Sequence, residues 1–261
     1  MSARKRVLIT GAAGTVGTAL RKQLADRYDL RLLFHSRIPD DVQPDDEVVI
    51  SDVSSLGAMI EATEGVDVIA HLALAGSYRG RTQADRAEQT FDVDMKGTYH
   101  IYEAARINGV STVILASTNH VTGINEKKGI CSSPDMPVRP DGIYGAGKAF
   151  GEALGRFYAD AHGLRVFCLR IANFNGRNDP GHYYEPGRSR WLSPRDLGQL
   201  VWRCIEAEGL NWGIFYGVSQ GAEEKWDISN ARELLGYEPQ DDGSALIYRQ
   251  RYEAEGEQRR G

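Results

Sequence analysis

The chain has 261 residues, 41% of them hydrophobic and 26% charged, with a formal net charge of −5. That length can bury the core of one domain, or of one domain with a small appended lobe, and the charge balance lacks the basic excess that nucleic-acid binding requires. No run reaches the ~18 apolar residues a bilayer span needs, and Met1 to Arg6 is short and basic with no signal-peptide apolar region behind it, so the expectation is a cytoplasmic protein with neither nucleic-acid nor membrane partners.

The predicted elements begin with the apolar run Arg6 to Thr10, a strand, which meets Gly11 and is followed by helical spacing from Val16 to Leu24. A second strand follows at Leu30 to Phe34, and Val48 to Ile50, Val66 to Leu72, Thr112 to Ala116 and Val166 to Ile171 read as further strands. Each is a continuous apolar or β-branched run, as parallel strands covered on both faces require. Helical patterns at Gly97 to Asn108 and Tyr144 to His162 lie between them, giving a βα repeat with right-handed crossovers. After Arg170 the pattern becomes Gly-, Pro-, Asn- and Tyr-rich from Asn173 to Arg190, an irregular stretch of the kind that serves function in compact domains. A helix at Pro194 to Glu208, a short strand at Gly213 to Tyr216 and a helix at Ser229 to Leu235 follow, and the polar tail beyond Gln240 has no periodicity. The fold class expected is α/β, a Rossmann-like doubly wound parallel sheet with a small C-terminal substrate-binding lobe. Residues 1–172 would form the NAD(P)-binding domain, and 173–261 the substrate loop and an integrated C-terminal lobe. Cys131, Cys168 and Cys204 are odd in number and lack a CxxC pair, which predicts packing residues rather than a disulfide framework or a metal site.

Three local patterns carry chemistry. Gly11, Gly14 and Gly17 stand in GxxGxxG spacing between the first strand and the first helix. Gly11 permits the tight turn, Gly14 lets backbone approach a pyrophosphate, and Gly17 allows close packing; Thr15 and Val16 complete the turn at a helix N-terminus that attracts negative charge. At the end of the second strand, where an acidic residue would hold the ribose of NAD, the chain reads His35-Ser36-Arg37. An arginine and two hydrogen-bonding neighbours suit a 2′-phosphate and favour NADP over NAD; the alternative is a solvated Arg37 with Asp40 or Asp41 on the ribose. Asp52, with Val53 after it, is a candidate for the adenine or a plain turn residue, and Leu72, which closes the fourth strand, is a further candidate for the cofactor. Finally, Tyr144 and Lys148 are four apart, on one helix face. A neighbouring cation stabilises a phenolate, so this tyrosine can take a proton from an alcohol near neutral pH.

With Ala116 to His120, Tyr99 to Arg106, Arg139 to Lys148, Trp191 to Ser193 and Leu235 to Pro239 added to the glycine turn, nearly the whole chain resembles the extended short-chain dehydrogenase/reductase family. Within it the resemblance is to uronate dehydrogenases and related haloarchaeal sugar and sugar-phosphate dehydrogenases. It implies that Tyr144 deprotonates an anomeric hydroxyl, that Lys148 holds the nicotinamide ribose and tunes Tyr144, and that hydride leaves C1 to give a lactone. Thr118 stands where the family has a supporting serine, with Ser117 as the fallback. Asn119 matches a substrate-binding asparagine, Asn173 lies where sugar hydroxyls are contacted, and His120 either packs locally or touches substrate. Asp94 replaces an asparagine that braces the active-site helix. Arg188 or Arg190 would hold a sugar carboxylate, and the longer segment after His71 adds Ser77, Arg79, Arg81 and Arg86 near the expected pocket mouth, the alternative for these last three arginines being a solvated basic loop. The substrate implied is an anionic hexose: a uronate, a sulfosugar or a sugar phosphate. A homo-oligomer is expected and no metal. The alternatives are a nucleotide-sugar epimerase or dehydratase, against which stands the short chain left after Arg190, and a non-catalytic NADP-sensing module, against which stand Tyr144, Lys148 and Thr118.

Overall fold

The computed structural model describes residues 4–75, 82–181, 189–222 and 224–244. Seven parallel strands form one sheet in the order β3-β2-β1-β4-β5-β6-β7. The strands are β1 (Arg6–Thr10), β2 (Asp29–Phe34), β3 (Glu47–Ile50), β4 (Val68–His71), β5 (Thr112–Thr118), β6 (Arg165–Ile171) and β7 (Trp212–Gly217). The helices are α1 (Thr15–Leu24), α2 (Leu56–Ala62), α3 (Gln83–Gln89), α4 (Lys96–Asn108), α5 (Gly123–Lys127), α6 (Ile143–His162), α7 (Pro194–Glu206) and α8 (Ser229–Leu235). All seven expected strands are present within two residues. Helix α7 stops two residues short of expectation because Ala207 turns extended, at ψ 135°.

Alternation along the strands builds two cores, since successive side chains point to opposite faces of a sheet. Val7 and Ile9 of β1 join Leu20 and Leu24 of α1 and Leu197 and Leu200 of α7 on one face. Leu8 joins Met59 of α2, Ile101 and Tyr102 of α4 and Tyr158 of α6 on the other. Each of these is buried, worth roughly 1.5–3 kcal/mol apiece for the aliphatic side chains. Beyond residue 173 the chain adds β7 to the sheet edge and lays α7 against α1, and so shares the main core.

The strand order reverses between β1 and β4, which pair in register with Thr10 opposite His71. At such a switch point the two neighbouring connections leave on opposite faces and open a crevice beyond the strand ends. Among the described residues no helix is long and apolar enough to cross a membrane. Cys168 and Cys204 are core residues, but Cys131 is exposed, so packing does not account for it.

Candidate active site

The crevice is a cavity of about 640 Å³. The glycine turn forms its floor: Gly11 sits at φ +66°, where an L side chain is strained, and an added Cβ would lie 2.8 Å from the Ala73 nitrogen. A Cβ on Gly17 would collide with the Gly11 carbonyl, so the turn needs both glycines bare. Gly14, Thr15, Val16, His35, Asp52, Val53 and Leu72 line the same cavity. Ser36 and Arg37 are exposed beside it and are not part of the lining. His35 stands 3.8 Å from Asp52, both largely solvent-facing. Asp41 is engaged by Arg21 at 2.8 Å and Lys22 at 3.4 Å.

Arg21 was not legible as a site residue. It reads as a basic position on an amphipathic helix, yet it is buried and donates from Nε to the Ala12 carbonyl and from Nη2 to Asp41, fixing the turn from beneath. His71 is a second such residue. Its Nδ1 meets Thr10 Oγ1 at 2.8 Å and its Nε2 meets Thr98 Oγ1 at 3.2 Å. Thr10 Oγ1 also accepts from the Leu72 and Ala73 nitrogens. Burial, helped by the Lys148 charge, pushes the His71 imidazole down to about 3, so it is neutral.

A second cavity, of about 520 Å³, adjoins the first, and Leu74 is a wall of both. It is lined by Tyr144 with Ile143 and Gly145 from the start of α6, by His120 and Asp141, and by Arg86 of α3. Helix α6 comes unusually close to its neighbours at this end. A Cβ at Gly145 would lie 2.5 Å from the His120 carbonyl, and one at Gly147 would lie 2.5 Å from Thr90 Cγ2. Glycine inside a helix costs about 1 kcal/mol relative to alanine, and here the close approach uses the space gained. Tyr144 and Lys148 share one face, with the Lys148 ammonium 6.0 Å from the centre of the Tyr144 ring. Lys148 is buried, which lowers its pKa, while the negative charge of Asp94 opposes that shift.

Thr118 ends β5 and is buried. Its Oγ1 accepts from the His120 nitrogen at 3.3 Å, capping a 3-10 turn over Asn119–Thr122, and it stands behind the cavity lining rather than on it. Ser117 is committed elsewhere, donating at 2.6 Å to Glu152. Glu152 in turn takes a two-pronged contact from Arg170, at 3.0 and 2.9 Å, and Arg170 reaches the Tyr216 hydroxyl at 3.3 Å. Asn119 donates its amide to Glu126, which also accepts from Trp226 Nε1 at 3.0 Å. His120, half exposed, meets Asp141 at 2.9 Å and stands edge-on to the Tyr144 ring. Burial acts to raise the Asp141 carboxyl, but the hydrogen bonds and charges of His120 and Lys127 outweigh it and hold it low. Asp94 accepts from the Ala75 nitrogen at 2.5 Å, bracing the segment between the two cavities. Asn173 forms an isolated bridge with Trp191, its nitrogen donating to the Arg190 carbonyl at 2.8 Å, and the Arg190 side chain is exposed. Ser77, Arg79, Arg81 and Arg188 lie outside the described residues.

A seven-stranded parallel sheet with a glycine turn at its switch point and a Tyr/Lys pair on the helix after β5 defines a Rossmann-type dinucleotide-binding protein. More particularly, the chain belongs to the NAD dependent epimerase/dehydratase family, whose model matches residues 7–197. It is 36% identical to the NAD-dependent glucose-6-phosphate dehydrogenase of Haloferax volcanii over 93% of this chain and 95% of that one. It is 34% identical to the uronate dehydrogenase of Pseudomonas syringae over 96% of this chain and 86% of that protein. Among solved structures, a mutant uronate dehydrogenase from Agrobacterium tumefaciens complexed with NAD superposes with a TM-score of 0.80 at 31% identity, covering 95% of this chain and 89% of that one.

Proposed function

We propose that the protein is an NAD(P)-dependent oxidoreductase that oxidises the C1 hydroxyl of a cyclic, anionic hexose to its lactone. The observation that carries this reading is Tyr144 on the wall of the smaller cavity with buried Lys148 one helical turn behind it. Two relatives matched over most of their length, a glucose-6-phosphate dehydrogenase and a uronate dehydrogenase, support it.

The larger cavity fits a dinucleotide. Its glycine floor admits close backbone approach, and α1 begins there with no acidic residue in its first turn to repel a pyrophosphate. Gly11, Gly14, Thr15, Val16 and Gly17 would hold the phosphates, Asp52, Val53 and Leu72 the adenosine side, and Lys148 the nicotinamide ribose. NAD(P), when bound, supplies the hydride acceptor. Tyr144 Oη takes the proton of the sugar hydroxyl, and the Lys148 charge stabilises the phenolate that makes this possible near neutral pH. Thr118 Oγ1, set behind the lining, supports the site through the turn it caps, while Asn119, His120 and Asn173, with Ser77, Arg188 and Arg190, supply the sugar side. In this reading residues 1–172 hold cofactor and reactive pair, and 173–261 complete the substrate side as an integrated part. Exposed Arg37 beside His35 and Ser36 supports a preference for NADP. Exposed apolar side chains on α4 and α6, Tyr99, Ile107 and Phe157, support self-association.

The test is reduced-cofactor absorbance with NAD and NADP against glucuronate, galacturonate, glucose, glucose 6-phosphate and sulfoquinovose. Turnover of an anionic sugar is expected, with Tyr144→Phe lowering it by roughly 10²–10⁴-fold at unchanged cofactor affinity. No turnover of any sugar by a protein that binds cofactor refutes the reading.

A further inference from the structure

Among the described residues that line the smaller cavity, Arg86 is the one lysine or arginine. Its side chain is exposed, and among the described residues it has no ion-pair partner. The cavity's carboxylate, Asp141, is matched by His120 at 2.9 Å and Lys127 at 3.1 Å. An entering oxyanion therefore meets a guanidinium that no described residue pairs and a carboxylate that is already matched.

The backbone of Arg86 is tied by packing to the helix that carries Tyr144. Its carbonyl accepts from Thr90 Oγ1 at 2.9 Å, and Thr90 is fully buried. Thr90 opens a π-helical turn, Thr90–Met95, and its methyl group fills the space left by Gly147, between Tyr144 and Lys148. Turns of this kind are rare and cluster at functional sites. Arg86 thus sits one helical turn from a side chain wedged into the helix that carries the reactive pair.

We propose that Arg86 binds the anionic group of the sugar and makes the enzyme selective for acidic over neutral hexoses. The inference rests on the dehydrogenase reading above. A hexose that offers C1 to Tyr144 carries its C6 substituent on C5, outside the ring, within reach of a side chain on another wall of the same cavity, and Arg86 lines that cavity. A guanidinium does so with two parallel N–H donors, which match the oxygens of a carboxylate, phosphate or sulfonate.

The test compares wild type, Arg86→Ala and Arg86→Lys at saturating cofactor with four sugars that differ at C6: glucose, glucuronate, glucose 6-phosphate and sulfoquinovose. For the preferred anionic sugar, Arg86→Ala is expected to raise KM by about 10- to 100-fold with kcat within about threefold, the range set by charge-assisted hydrogen bonds. The KM for glucose and the cofactor Kd, read by fluorescence titration, stay within about twofold, which a merely structural role would not produce. Arg86→Lys recovers part of the loss, since a point charge remains; which of the three acids shows the largest change identifies the oxyanion. An Arg86→Ala variant with unchanged preference for the acid overturns the assignment and leaves the dehydrogenase reading intact; a wild type that oxidises glucose alone overturns the assignment and the anionic substrate of that reading, but not its C1 oxidation. A wild type that oxidises no sugar overturns that reading, and the assignment with it.

Discussion

Replacing Glu152 by alanine would remove the centre of the buried network that joins β5, α6, β6 and β7. The carboxylate accepts from Ser117 at 2.6 Å and from Arg170 at 3.0 and 2.9 Å, and the ion pair is almost wholly dry, with side-chain exposures of 1% for Arg170 and 5% for Glu152. After the substitution Arg170 keeps, among the described residues, the Tyr216 hydroxyl at 3.3 Å, the Tyr216 ring at 5.4 Å and the Pro134 carbonyl at 3.5 Å, and its charge stays buried. Removing one partner of such a pair costs roughly 3–5 kcal/mol, most of it the stranded charge. With a urea slope of about 3 kcal/mol per molar, the unfolding midpoint by circular dichroism falls by about 1–2 M. A Glu152→Leu/Arg170→Met double variant removes both charges and is expected to recover much of that loss. A Glu152→Ala variant within about 1 kcal/mol of wild type, or single losses that add in the double variant, would show that the pair does not hold these strands together.

Thr118→Val removes the acceptor that caps the Asn119–Thr122 turn and is expected to lower kcat at least about 10-fold, whereas Ser117→Ala mainly lowers the melting temperature; the reverse order in steady-state assays and thermal scans contradicts the roles given to these hydroxyls. Arg37→Ala is expected to cut kcat/KM with NADP about 10-fold or more and to leave NAD within about twofold; equal losses with both cofactors would place Arg37 off the 2′-phosphate. His71 gives a pH signature. The folded imidazole, at about 3, stays neutral where the unfolded one, at 6.5, takes a proton, so acid favours the unfolded state and stability falls as pH drops from 6.5 toward 3. One proton contributes up to about 1.4 kcal/mol per pH unit in that window. His71→Asn should show a flatter slope between pH 6.5 and 4.5 in denaturant titrations, and parallel slopes would mean that His71 is not held neutral.

The strands were legible because a parallel sheet covered on both faces needs unbroken apolar runs, and Thr112 to Ala116 or Val166 to Ile171 can hardly be read otherwise. Helices α2 and α3 were not. In α3 the run Gln83 to Gln89 has no buried side chain, so no periodicity marks it, and its start rests on a Thr82–Asp85 capping box. The π-helical turn after it follows from the fit of Thr90 against Gly147, 57 positions apart in sequence, which no local pattern encodes. At the site, the spacing of Tyr144 and Lys148 and of the three glycines is itself the signal. Glu152, Arg170, Arg21 and His71 carry no such mark. Arg21 and Glu152 read as ordinary polar helix positions and His71 and Arg170 as strand residues, and only the packed molecule shows them buried and hydrogen-bonded.

Leu74 belongs to both cavities. A shared wall ties the two occupancies together: any factor by which a seated dinucleotide changes sugar affinity through that side chain is returned in full as the factor by which sugar changes dinucleotide affinity. Dissociation constants measured with each site empty and then full close a thermodynamic square, and trimming Leu74 to alanine changes its diagonal coupling rather than a single edge. The two dissociation constants would then shift by one common factor, although Leu74 itself carries no reactive group.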